Sequence, residues 1–152
     1  MMRNRMGWML GSTLALLLLG PLGQSVHAQN GHHDAEQIRS VIMSAYIHGL
    51  QSNGSREDIR QGFHPDFVMK VLGEGAITNV TIEEWIGRLP PEGQAPNRTI
   101  TADIPTVDVA GDAAVARVEV HYDGDHVFTD YMSLYRFPEG WRIVAKIFHS
   151  QG

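Results

Sequence analysis

The alternation of apolar and polar positions predicts helices in the first part of the chain and strands after it. From Asp34 to about Gln51, apolar residues recur every three or four positions, which is typical of one face of a helix. Ser55 and Asp58 have the spacing of a capping box and predict a short helix that ends at Gly62. The stretch FHPDFVMKVL then predicts a turn into a first strand.

A second capping box and a run of strands follow. Thr81 and Glu84 predict a short helix over TIEEWIGRL. The segments after Arg98 alternate with the period of a strand. They predict four strands, at residues 98–109, 113–122, 125–137 and 141–149. Helices followed by a meander of long strands indicate an α+β domain, in which a strongly curved antiparallel sheet packs on N-terminal helices.

Two turns predict how these strands pair. The dipeptide DG at 123–124 is a signal for a two-residue hairpin, which places Arg117 opposite Asp130. The stretch FPEG suits a type I turn followed by Gly140 at positive φ. This second loop predicts the pairs Phe137–Trp141, Tyr135–Ile143, Ser133–Ala145 and Tyr131–Ile147.

These pairings divide the predicted sheet into two faces. The first combines small apolar residues with hydroxyl groups: Ala114, Ala116, Val118, Val120, Val127, Thr129, Tyr131, Ser133, Tyr135, Ile143, Ala145, Ile147 and His149. The second mixes apolar and charged residues: Val115, Arg117, Glu119, His121, His126, Phe128, Asp130, Met132, Leu134, Val144, Lys146 and Phe148. A surface that is both apolar and charged suits an interface, so we predict a homodimer through the second, outer face.

Asp130 has two interpretations. In the predicted register it lies opposite Arg117 and near Lys146 on the outer face. Opposite charges on neighbouring strands stabilise a sheet by roughly 0.2–1 kcal/mol. We therefore favour a structural ion pair over a buried catalytic carboxylate at this position.

The first face has the properties of a ligand pocket. Its small residues leave room, and a few polar groups in an apolar setting are what a small-molecule site requires. The predicted ligand-binding residues are Tyr131, Tyr135, Ser133, Trp85, His149 and Tyr46. The alternative is a packed core in which each hydroxyl group finds a backbone partner.

Three residues are candidates for acid–base catalysis: Asp103, Asp66 and His64. A general base must face the pocket and have its pKa tuned by burial or by neighbours. The face on which Asp103 lies depends on whether the AGD turn has two or three residues. Asp66 follows a proline at a turn, where aspartate is common because it tolerates turn conformations.

The first 28 residues have the pattern of a signal peptide. The apolar run from Trp8 to Leu19 follows two arginines and is shorter than the roughly 20 residues that span a bilayer. We expect cleavage after Ala28, a flexible leader at residues 29–33 and a single domain at 34–152. The chain is thus predicted to be exported, periplasmic or secreted, with no stable membrane anchor after cleavage. A retained anchor is the alternative.

Composition narrows the class of partner. A net charge of −5 without a basic stripe argues against nucleic acid and anionic membranes. The chain has no cysteine, which excludes disulfides and leaves stability to the core. Its histidines include GHHD near the predicted cleavage site and the pair His121 and His126 beside an exposed turn. Neither arrangement favours a metal, so we predict no metal site and no cofactor.

Three stretches carry a resemblance: YIHGLQSNGSREDIRQGFHPDFVM, TIEEWI and HVFTDYMSLYRFPEGWRIVAKIFHS. They resemble the nuclear transport factor 2-like superfamily, and within it the bacterial branch named for lumazine binding. The resemblance covers about residues 35–149. It implies a cone-shaped α+β fold whose curved sheet and helices enclose a pocket, and dimers formed through the outer face of the sheet.

The resemblance does not transfer an activity, because the superfamily includes isomerases, hydrolases, cyclases, dehydratases and binding proteins. Members similar to ketosteroid isomerase use a pocket carboxylate with acidic donors opposite, and this chain has no clear equivalent of that trio. We predict an exported domain that binds a small apolar or aromatic molecule. The alternatives are a cofactor-free proton-transfer enzyme of isomerase or dehydratase type, with Asp103 or Asp66 as base, and a dimerisation module with a vestigial pocket.

Overall fold

A computed structural model describes residues 23–152, with side chains described from residue 30 onwards. Its helical elements are α1 (Gly23–Val41), a π-helix (Ile42–Gln51) that continues it, α2 (Arg56–Gly62) and α3 (Ile82–Gly87). Its strands are β1 (Phe63–Gly73), β2 (Ala76–Thr81), β3 (Ile100–Ala110), β4 (Ala113–Tyr122), β5 (Asp125–Phe137) and β6 (Gly140–Ser150). The predicted α+β class and the four C-terminal strands are confirmed.

The described residues begin inside the predicted signal peptide. Most of the predicted signal peptide, including its apolar run, lies outside the described residues, so its removal stays a prediction. Residues 29–33, which we expected to form a flexible leader, are part of α1. Within residues 23–152, no helix has the length and apolar character needed to cross a membrane.

The six strands form one curved, open sheet in the order β2-β1-β6-β5-β4-β3. The pair β1–β6 is parallel and all other pairs are antiparallel. The sequence pattern missed β2, whose residues pair along β1 and are exposed except for Val80. We call the face of the sheet that the helices cover the inner face, and the opposite one the outer face.

The core lies between the inner face and the helices. On β4 it contains the small and branched residues that the sequence predicted, namely Ala114, Ala116, Val118 and Val120. From β5 and β6 it receives Asp130, Met132, Leu134, Trp141, Ile143 and Lys146, and from β1 it receives Phe63, Phe67 and Met69. A buried aspartate and a buried lysine therefore lie inside an otherwise apolar core.

The predicted pairing of β4 with β5 is wrong by one residue over most of its length. The DG turn pairs His121 with His126 as predicted, but the next pair is Val120 with Phe128. Val127 is the extra residue of a β-bulge, because two residues of one strand then oppose one of the other. Arg117 consequently lies opposite Tyr131 and Val118 opposite Asp130.

The second hairpin contains a bulge as well. Its loop is one residue shorter than predicted, because Phe137 pairs with Gly140 rather than with Trp141. An extra residue at Val144 restores the predicted register, and the pairs Ser133–Ala145 and Tyr131–Ile147 are confirmed. The predicted pair Tyr135–Ile143 is wrong, since Ile143 pairs with Leu134.

The bulge at Val127 exchanges the faces that we predicted for β5, because a one-residue shift turns every side chain beyond it to the other side. Asp130, Met132 and Leu134 point to the helices. Tyr131 and Tyr135 point outward and are 51% and 53% exposed. The predicted outer ion pair between Asp130 and Arg117 is therefore wrong, and Arg117 instead pairs with Glu119 on its own strand at 2.6 Å.

Two glycines explain how closely α2 packs against the π-helix. A side chain at Gly62 would collide with Ala45, and a Cβ at Gly49 would lie 2.7 Å from Ile59 Cγ1. These two glycines allow α2 to lie directly against the π-helix. The predicted caps support the short helices: Ser55 Oγ accepts from Asp58 N, and Thr81 with Glu84 forms a full capping box.

Candidate functional site

The centre of the inner face is a buried carboxylate. Asp130 is 0% exposed. Its Oδ2 accepts a hydrogen bond of 2.6 Å from the Tyr46 hydroxyl group. Its Oδ1 lies 2.7 Å from Lys146 Nζ, but the geometry is that of an ion pair and not of an aligned hydrogen bond. Among the residues whose side chains are described, no other group bonds to Oδ1.

Aromatic rings surround the lysine of this pair. Lys146 is 4% exposed, and its Nζ lies 4.5 Å from the ring centroid of Phe148. The same atom lies 5.1 Å from the centroid of Tyr46 and 5.3 Å from that of Trp85. A cation within about 6 Å of an aromatic ring is attracted to it, more strongly when it is removed from water.

A chain of hydrogen bonds connects the buried carboxylate with a more exposed tyrosine. Tyr122 donates its hydroxyl hydrogen to Gln51 Oε1 at 2.7 Å, and Gln51 Nε2 donates to the Tyr46 oxygen at 2.8 Å. Tyr46 then donates to Asp130. Every donor in the chain points toward Asp130, so each bond adds to the stabilisation of negative charge on that carboxylate.

The π-helix places two members of this chain side by side. Tyr46 and Gln51 are five residues apart, and both lie within Ile42–Gln51. In an α-helix, residues three or four apart share a face, whereas the wider i→i+5 turn brings positions five apart together. Such segments are rare and often occur at functional sites.

Burial changes the ionisation of both partners of Asp130. Desolvation lowers the pKa of Lys146 below its usual value, and the adjacent Asp130 charge opposes that change. Desolvation, followed by the charge of Asp130, raises the pKa of Tyr46 well above its usual value. The Tyr46 hydroxyl group therefore stays protonated over the physiological range, and the neutral amine of Lys146 is more accessible than that of an ordinary lysine.

Partly exposed aromatic residues extend from this cluster toward solvent. Phe148 and Phe128 pack edge to face at 5.8 Å between centroids, and so do Phe128 and Tyr122. Trp85 packs against Tyr46 at 6.0 Å and is half-buried. Apolar surface beside a few polar groups is the composition of a small-molecule site.

Comparison with known proteins identifies the family. The profile of the family described as "Putative lumazine-binding" matches residues 33–149, which is most of the chain. The chain belongs to this family. Among curated proteins, no sequence matches the chain.

Solved structures confirm the fold expected of the family. A nuclear transport factor 2-like protein of unknown function from Silicibacter pomeroyi is 21% identical, with a TM-score of 0.63, and the match covers 86% of this chain and 100% of that one. A second such protein, from Shewanella baltica, is 23% identical with a TM-score of 0.61 over 80% of this chain and 96% of that one. The predicted nuclear transport factor 2-like fold and the predicted branch named for lumazine binding are confirmed.

The structure separates the predicted ligand-binding residues into two groups. Tyr46 and Trp85 lie at the buried cluster on the inner face. Tyr131, Ser133, Tyr135 and His149 lie on the outer face, so the predicted inner position of these four is wrong. Whether any of them contacts a ligand stays a prediction.

The three predicted acid–base residues differ in how far they are exposed. Asp103 and Asp66 have side chains that are 78% and 92% exposed. Asp103 lies 4.0 Å from His121, and His64 stacks on Phe137 with 4.7 Å between ring centroids. Asp103 and Asp66 lack the burial that would tune a general base, whereas the His64 side chain is only 26% exposed, and the catalytic role of all three stays untested.

Sequence reasoning missed Lys146 and Gln51 as members of the site. Lys146 was placed near Asp130, but on the wrong face. The sequence does contain a signal for its burial. Lys146 shares one face of the strand with the large apolar residue Phe148, whereas Ala145 and Ile147 share the other face. Gln51 gave no signal, since its contact depends on the π-helix.

Proposed function

We propose that the chain binds a small apolar or aromatic molecule on the inner face of its sheet, beside Trp85 and Phe148. The observation that supports this is the Lys146 ammonium group, held under three rings next to a wholly buried carboxylate. A buried ion pair is often no more stabilising than an apolar replacement, so it is weakly explained by stability alone. Titratable groups perturbed by burial cluster at functional sites.

Two further properties agree with this proposal. The half-buried rings of Trp85, Phe128 and Phe148 offer apolar surface that a ligand would cover. The family description names binding of a heterocycle, which belongs to the same class of small aromatic molecules. We also propose that the domain is exported, which the pattern of the first 28 residues supports.

Thermal unfolding with small aromatics, flavins, pterins and steroids tests the proposal. A ligand specific for the folded state and present at 100 times its dissociation constant adds roughly 2.7 kcal/mol, a rise of several degrees in Tm. We expect Trp85→Ala to abolish that rise and Tyr131→Ala, on the outer face, to retain it. A rise lost in Tyr131→Ala but kept in Trp85→Ala would contradict the inner site, and no rise with any compound would contradict binding of these classes.

We further propose that a second copy of the chain covers the outer face. Val115, Tyr131, Tyr135 and Ile147 are each about half exposed there, with the small side chains of Ser133 and Ala145 between them. Monomeric proteins seldom expose large continuous apolar patches, and a two-fold axis lets one patch meet its own copy.

The oligomeric state tests this interface. We expect the protein to sediment as a dimer and Ile147→Asp to sediment as a monomer, because a buried unpaired carboxylate is costly. Asp66→Asn, which changes a charge at a highly exposed side chain, serves as the control and should remain dimeric. If the wild-type protein sedimented as a monomer at the concentration used for the variants, this would contradict the interface.

A further inference from the structure

The chain contains two lysines, and their surroundings are opposite. Lys70 is exposed on β1, where its Nζ lies 3.4 Å from Asn79 Oδ1. Lys146 is 4% exposed, and three aromatic rings and one carboxylate lie around its Nζ. The same functional group is therefore present once in water and once in an apolar enclosure.

Burial makes the neutral amine of Lys146 easier to reach than that of an exposed lysine, because desolvation lowers its pKa, although Asp130 and the three rings attract the ammonium form. A lysine becomes a nucleophile when it loses its proton, and desolvation in an apolar pocket is one of the ways by which proteins achieve this. The rings of Tyr46, Trp85 and Phe148 replace most of the water that would solvate the ammonium group of an exposed lysine. Asp130 Oδ1 lies 2.7 Å from Nζ, with the geometry of an ion pair.

The carboxylate is held in a position to take the proton. Tyr46 occupies Oδ2 through a hydrogen bond of 2.6 Å, which leaves Oδ1 facing Lys146 Nζ at 2.7 Å. Tyr46 is itself fixed by Gln51. Tyr46 is thus a positioning residue for Asp130, and Asp130 is the group within reach of the reacting nitrogen.

We propose that Lys146 forms an imine with the carbonyl group of an aldehyde or ketone that binds beside Trp85 and Phe148. This rests on the proposed function, because the ligand site on the inner face is where the carbonyl compound would bind. The class of ligand is thereby narrowed to small aromatic or apolar carbonyl compounds.

The proposed reaction balances with the groups present. The Lys146 ammonium group passes one proton to the Asp130 carboxylate, and the neutral nitrogen attacks the carbonyl carbon as its C–O π bond breaks. The resulting carbinolamine loses its oxygen as water, using one proton from the nitrogen and one from the Asp130 carboxylic acid. The products are a protonated imine on Lys146, the Asp130 carboxylate beside it, and water. The charge pair that existed before the reaction exists after it.

Reductive methylation of the folded protein tests this directly. Formaldehyde with sodium cyanoborohydride traps imines as methylated amines, and peptide mass analysis reads Lys146, Lys70 and the N-terminal amine separately. At pH 7 we expect Lys146 to react at least as fast as Lys70. A slower rate at Lys146 than at Lys70 in the folded protein, together with equal rates in urea, would overturn the proposal.

Two controls separate this inference from the proposed function. Lys70→Arg leaves Lys146 as the sole lysine and should retain the methylation of that residue, whereas Lys146→Arg should lose it.

Benzaldehyde is then used as a ligand, with Tm and adduct formation both measured. A rise in Tm that Trp85→Ala abolishes, without an adduct on Lys146, would overturn the imine and leave the binding site standing. Methylation of Lys146 without any rise in Tm would support the reactive lysine and contradict binding of that compound.

Discussion

Asp130→Asn should lower the free energy of unfolding by about 3–5 kcal/mol, because it leaves the Lys146 ammonium group buried without its partner. The amide has nearly the shape of the carboxylate, so the loss reflects charge more than packing. It can still accept the Tyr46 hydroxyl hydrogen. The measurement is urea unfolding at pH 7, with the free energy extrapolated to water.

The cost of Asp130→Asn should shrink as the pH rises. Burial already lowers the pKa of Lys146 in the folded protein, and loss of the adjacent charge lowers it further. Between that lowered pKa and about 10.4, the usual value in the unfolded chain, the unfolded state binds more protons than the folded state. Stability then increases with pH in this window, and it does so over a wider range in the variant than in the wild type. A cost that is constant from pH 6 to 10 would contradict an uncompensated ammonium group.

Two companion variants isolate the ion pair. Asp103→Asn removes a carboxylate that is 78% exposed and should change stability by no more than about 0.5 kcal/mol. The double variant Asp130→Asn/Lys146→Met should recover most of the loss, because it replaces the unpaired charge with an apolar side chain. If the double variant were as unstable as the sum of the two single variants, the pair would not be coupled.

Phe67→Ala should destabilise the protein by about 3–5 kcal/mol, which is typical of removing a large buried ring. Phe67 is wholly buried and packs on Phe63 at 4.8 Å and on Trp85 at 6.3 Å between ring centroids. The cavity would lie under Trp85, so the ligand-dependent rise in Tm should also fall. Leu72→Ala on the same strand, at a side chain that is 76% exposed, should change stability by no more than about 0.5 kcal/mol. Equal effects of the two variants would contradict this assignment of the core.

Local features of the fold were predictable from the sequence because their causes are local. The capping pairs Ser55 with Asp58 and Thr81 with Glu84 mark helix starts that the structure contains. The positive φ of Asp123 and Gly124 suits the two-residue turn that their sequence predicts. The segment at residues 76–81, in which Val80 alone is buried, gave no strand signal, since its pairing with β1 depends on the rest of the sheet.

The candidate site was only partly predictable because it depends on irregularities of the backbone. The predicted row of Phe128, Asp130, Met132 and Leu134 is present, but a bulge decides which way the row faces. Val127 and Val144 have ordinary strand-forming side chains, and nothing in their local sequence distinguishes a bulged residue from a paired one. The π-helix that joins Tyr46 to Gln51 has the same apolar spacing as the α-helix that we predicted.

The two bulges have a consequence for tracing this site through evolution. At Val127 and at Val144 one strand carries a residue that its neighbour does not match. A relative without one of these residues would align with this chain residue for residue only on one side of that point. Beyond it, an ungapped alignment would equate inward positions such as Asp130 and Lys146 with outward ones. Gain or loss of a single codon would thus exchange the inward-facing and outward-facing residues of a strand, so that the chemistry of both faces of the sheet would change in one step.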